Sequence, residues 1–116
     1  MFTYQLVNED ALITVLPKGE LVWHVCNEIE DFISGRMGPG VRLSFNMRKV
    51  SFLDSAGVGF LLQMKNLADR WKGSFEMRHL PKRVKLMLER LALIEYLNVV
   101  NDEPFVPDVK FNALVN

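Results

Sequence analysis

Between Val41 and Arg48, large apolar residues alternate with polar ones: Val41, Leu43, Phe45 and Met47 against Arg42, Ser44, Asn46 and Arg48. A period of two places successive side chains on opposite faces of a strand. A few residues later the period changes. Val58, Leu61, Leu62, Met64, Leu67, Ala68 and Trp71 recur at the three- and four-residue spacing of one helix face, until Lys72-Gly73 ends the run. A strand that feeds a helix through a short connection is half of a crossover unit, so the chain is expected to build an α/β sheet.

The flanking segments extend this pattern. Phe2–Val7 and Ala11–Leu16 are rich in β-branched and aromatic residues around Asn8-Glu9-Asp10, which predicts an N-terminal β-hairpin. After Pro17-Lys18-Gly19, residues Val22, Val25, Cys26, Ile29, Phe32 and Ile33 predict an amphipathic helix ending near Gly35. Ser74–His79 reads as a short strand. Pro81 stands where proline favours the first turn of a helix, and that helix carries Val84, Met87, Leu88 and Leu91. Its Lys82, Arg83, Lys85 and Arg90 read as a solvated face. Leu97–Val100 is expected as a last strand. The whole is an open mixed sheet of four to five strands with helices.

The 116 residues suit one core, and 49% hydrophobic with 24% charged residues is the balance of a folded globular chain. Residues 1–100 are expected to form the domain. Residues 101–116, with Pro104 and Pro107, are expected to be an irregular tail or a shortened last helix packed on it. Lys and Arg total 14, as do Asp and Glu, so no net field draws the chain to nucleic acid or an acidic membrane. MFTYQLVNED has no signal-peptide pattern, and no run approaches the roughly 20 apolar residues that span a bilayer. Cys26 is the single cysteine and allows no internal disulfide, which fits a reducing cytoplasm.

Chemistry-bearing residues concentrate in Val50–Gly59, at the strand-to-helix connection where sites gather in α/β sheets. Asp54 and Ser55 are both able to cap free amides at the helix start, and Gly57 and Gly59 remove side chains from its first turn. Enzyme readings fail on the residues present. Leu53-Asp54-Ser55-Ala56-Gly57 is not a nucleophile elbow, and the only histidines, His24 and His79, stand in no catalytic pattern and are expected on the surface of a helix or strand. Gly57-x-Gly59 lacks the third glycine of a dinucleotide loop, because Leu62 occupies that position. Two distant histidines and one cysteine do not assemble a metal site, and Cys26 reads as core. No cofactor is expected. Trp71, at the helix end, is expected in the core, although Trp23 and Trp71 are also residue types that anchor partners.

The run FNMRKVSFLDSAGVG closely resembles the signature of the STAS domain, the family of bacterial anti-sigma-factor antagonists, in which Asp-Ser-Ser/Thr-Gly follows the third strand. Lys18-Gly19-Glu20-Leu21 before the first helix and Leu80-Pro81 before the last fit the same pattern. The resemblance implies a cytoplasmic bacterial signalling protein in transcription regulation, working by partner switching. By position it makes Ser55 the phosphorylation site and Asp54, Ser55, Ala56, Gly57 and Val58 the partner-binding segment. It implies a serine kinase or anti-sigma factor and a phosphatase as partners, with neither nucleic acid nor membrane insertion, and it leaves the oligomeric state open, a homodimer included. Two departures stand out. Val22 occupies the place of a family Asp after Gly-Glu-Leu, and Ala56 replaces the second hydroxyl, leaving Ser55 as the acceptor in the loop. The alternative is a constitutive STAS scaffold subunit with no switch.

Overall fold

The computed structural model describes residues 3–9 and 11–100. In chain order its elements are β1 (Thr3–Glu9), β2 (Leu12–Leu21), α1 (Trp23–Ser34), β3 (Arg42–Asn46), β4 (Lys49–Leu53), α2 (Ser55–Arg70), β5 (Ser74–Arg78) and α3 (Lys82–Arg90). The main sheet path is β1-β2-β3-β5, with β4 also paired to β2. β1 runs antiparallel to β2, and the remaining pairings are parallel. The connection between β1 and β2 includes residue 10, outside the described residues, as are Phe2 and the whole of the expected tail over 101–116.

β3 and β4 are two halves of one bent strand beside β2. Val15 opposes Phe45 and Lys18 opposes Lys49, so one residue is gained on β2 around Met47–Arg48. Gly19 opposes Val50 while Glu20 opposes Phe52, which places a second extra residue, Ser51, at a bulge. Counting the bent strand once, the sheet has four ribbons. Val50–Leu53, expected as connection, is strand, and the bulge hides it from the alternation. Val50 and Leu53 are buried while Ser51 and Phe52 between them are exposed, so the period of two is lost.

Pro17-Lys18-Gly19, expected to end a strand, does not. β2 continues through it to Leu21. Pro17 falls between the β3 ladder, which ends at Val15, and the β4 ladder, which begins at Lys18. A proline in that gap interrupts neither ladder. The expected last strand is reduced to a single parallel bridge, Met77 to Val99.

Helices α1 and α2 pack on the sheet and on each other. Ile13, Val15, Leu43, Phe45, Phe75 and Met77 meet Val25, Ile29 and Ile33 of α1 and Leu61, Met64 and Ala68 of α2 in one buried cluster. Phe45 is central to it, its ring 5.8 Å from Phe60 edge-on and 5.6 Å from Phe75. The opposite face of β3 carries Ser44 and Asn46, which are buried and polar. Ser44 Oγ donates to Glu76 Oε2 at 2.9 Å, and Arg78 Nε donates to the same oxygen. Burial alone would raise the Glu76 carboxyl. Hydrogen bonds from Arg78 and Ser44, with the charges of Arg78 and Arg42, outweigh it and hold Glu76 below the usual carboxylate range. Trp71, expected in the core, is 39% exposed. It caps α2, and its carbonyl accepts from Gly40 N–H at 3.0 Å. The side chains of Trp23 and His24 lie outside the description.

Candidate functional site

β4 outruns β5. The β3–β5 ladder ends at Asn46 opposite Arg78, whereas β4 continues to Leu53 paired only with β2. The β4–α2 junction therefore stands past the last residue of β5, and α3 packs against β4 there.

At the junction Asp54 is extended, with φ −97° and ψ −177°, and its Oδ1 accepts from Gly57 N–H at 2.7 Å. That is the N-cap geometry, so of the two candidate caps Asp54 serves and Ser55 becomes the first helical residue. Freed from capping, the Ser55 side chain is exposed, as is Ala56. The first amides of a helix have no intrahelical acceptor, so Ser55 sits beside free N–H groups at the positive end of α2.

Gly57 is buried, and a Cβ built on it would lie 2.4 Å from the Leu21 carbonyl oxygen and 2.6 Å from Leu53 Cδ1. Leu21 ends β2 and Val22 caps α1, so the contact draws the starts of both helices together. Gly59 differs, since nothing lies within 4 Å of a Cβ placed there. Contrary to expectation, the first turn does not need a glycine there. Val58, assigned to the partner-binding segment, is a core residue at 7% exposure, so its side chain offers a partner little surface.

Cys26 in α1 is buried as expected. Burial pushes its thiol up to about 12, and the nearby Asp54 charge adds to the rise.

The sequence reading missed a groove of about 460 Å³ between the junction and α3. Its lining includes Asp54 at the junction, Phe52 on β4, and Arg83, Leu86, Arg90 and Leu91 on or just after α3. Phe52, Leu86 and Leu91 are 48%, 44% and 49% exposed. Leu86, an apolar residue on the otherwise charged side of α3, is the signal for it in the sequence.

Among the described residues no helix is long and apolar enough to cross a membrane. Comparison with solved structures finds the same fold at low identity. The anti-sigma factor antagonist SpoIIAA in its unphosphorylated form aligns with a TM-score of 0.68 and 22% identity, covering 86% of this chain and 90% of that one. An anti-sigma factor antagonist from Mycobacterium paratuberculosis gives 0.71 and 17%, covering 100% and 96%. A sulfate transporter family protein from Wolinella succinogenes gives 0.69 and 17%, covering 80% and 79%. No curated protein matches the sequence. The STAS domain family matches over residues 4–109, from within β1 to beyond the last described residue, and the chain belongs to that family.

Proposed function

We propose that this chain is a phosphorylation-switched protein-interaction module of the anti-sigma-factor-antagonist type, not an enzyme, acting in the bacterial cytoplasm. The observation that carries this reading is the exposed Ser55 at the first position of α2, directly after a capping Asp54. A phosphate on Ser55 adds about −1.5 to −2 charge at neutral pH. Free amides at the start of α2 attract it, and the adjacent Asp54 carboxylate repels it. Because the Ser55 side chain is exposed, the fold tolerates the group while the surface around Asp54, Ser55 and Ala56 becomes strongly negative. A kinase-like regulatory partner, such as an anti-sigma factor, binds the unphosphorylated form. It meets a desolvated dianion in the other, and a phosphatase restores the first.

A second reading, a permanent scaffold without a switch, draws on the comparable likeness to the sulfate transporter family protein and on Val22 in place of a charged residue. Mass-spectrometric mapping of the protein taken from its own cells separates the two. Phosphate on Ser55, with weaker binding of the co-purified partner to Ser55→Asp than to Ser55→Ala, is the expected result. An unmodified Ser55 and equal binding by both variants would leave the scaffold.

A further inference from the structure

The groove beside Ser55 has a chemistry of its own. Its apolar part is formed by Phe52, Leu86 and Leu91, each more than two-fifths exposed, which is unusual for side chains of this size gathered at one place. Its charged part is mostly positive, two guanidiniums against the one carboxylate of Asp54. Arg83 and Arg90 line it, and α3 as a whole carries Lys82, Arg83, Lys85 and Arg90 against the single carboxylate Glu89. The chain is neutral overall, so this excess of positive charge is local.

We infer that the groove is the docking site for an acidic amphipathic helix of a partner protein. Arg83 and Arg90 stand seven positions apart, two turns of α3, which is about 10 Å along the axis and returns both side chains to one face. A partner helix lying along α3 with two carboxylates at the same seven-residue spacing meets both guanidiniums. Its apolar stripe between them covers Leu86, Leu91 and Phe52. The concave shape favours an inserted helix over a flat lipid surface, and Asp54 in the lining repels an anionic headgroup while accepting a basic residue from a protein. The inference rests on the proposed switch for its regulation, since Asp54 lines the groove and Ser55 is its neighbour.

The test uses the full chain, 15N-labelled, and two synthetic helical peptides. One carries a leucine stripe flanked by glutamates seven residues apart, and its twin has lysines at those positions. The glutamate peptide is expected to bind about tenfold more tightly than the twin, with amide shifts at β4 and α3. The double variant Arg83→Glu/Arg90→Glu is expected to reverse that preference, and Leu86→Asp to weaken both peptides. Equal binding of the twins, shifts confined to another face, or charge-dependent binding of phosphatidylglycerol vesicles in place of the peptide would each overturn the inference. Ser55→Asp in the same titration keeps the two readings apart. Unchanged groove binding by that variant would sink the switch and leave the groove. A groove that ignores the glutamate peptide, in a protein found phosphorylated on Ser55, would do the opposite.

Discussion

Gly57 on α2 and Leu21 at the end of β2 approach so closely that a single methyl group on Gly57 would fall 2.4 Å from the Leu21 carbonyl oxygen. The obstacle is backbone, which cannot rotate away as a side chain can. Two turns of sequence logic meet there, because Leu21 leads into α1 and Gly57 completes the Asp54 cap of α2.

Gly57→Ala is accordingly expected to cost about 1–3 kcal/mol, despite the better helix propensity of alanine, and Gly57→Val more. Gly59→Ala is the matched control. With open space at its Cβ it should be neutral or stabilising by up to about 1 kcal/mol. Urea denaturation of the two variants checks this, and equal effects would show that the Leu21 contact is not limiting.

Asp54→Ala removes the acceptor for Gly57 N–H and is expected to destabilise by about 1 kcal/mol, whereas Asp54→Asn, which also caps well, should stay near wild type. Thermal unfolding of the pair separates capping from charge.

The Cys26 thiol should resist modification. Its folded pKa is raised above the unfolded value, so the fold favours the neutral thiol. That contribution is complete below the ordinary thiol pKa near 9 and is lost as pH rises toward about 12. At pH 8 the native protein should react with a disulfide reagent at least about 100-fold more slowly than the urea-unfolded chain. Asp54→Asn should narrow the gap slightly, because burial is the larger cause and the Asp54 charge comes second to it.

Glu76 has the opposite sign. Its folded pKa is lowered, so its stabilisation is present above the unfolded value of about 4.3 and disappears as pH falls below it. Glu76→Gln should flatten that acid arm of the stability profile and leave Ser44 with a neutral acceptor. A profile of the same steepness for both proteins would show that other carboxylates set the acid limit.

The elements with one clean period were legible in the sequence. α1 ends at Gly35 and α2 begins on Ser55 as the spacing predicts, because each helix buries one stripe against one sheet face. β4 was not legible, since the extra residue Ser51 turns two successive side chains outward and destroys the alternation by which strands are recognised. Likewise Pro17 reads as a breaker to any local rule, and only the tertiary gap between two ladders makes it harmless. At the site, Asp54 and Ser55 were legible as a pair but not which of them caps, and Gly57 and Gly59 were indistinguishable until the position of Leu21 was known. The groove escaped because Phe52 and Leu86 come together only when α3 folds back on β4.

The bend between β3 and β4 separates two kinds of constraint. Ile13, Val15, Leu43 and Phe45 are locked by alternation and pairing, so a slip of one residue among them would turn the core inside out. Met47–Arg48 and the bulge at Ser51 already absorb unmatched residues. Length can change at those two points in steps of about 3.3 Å while the upstream register stays fixed. The serine-bearing junction thus rides on an arm that descent can lengthen or shorten, with the interior of the protein left as it was.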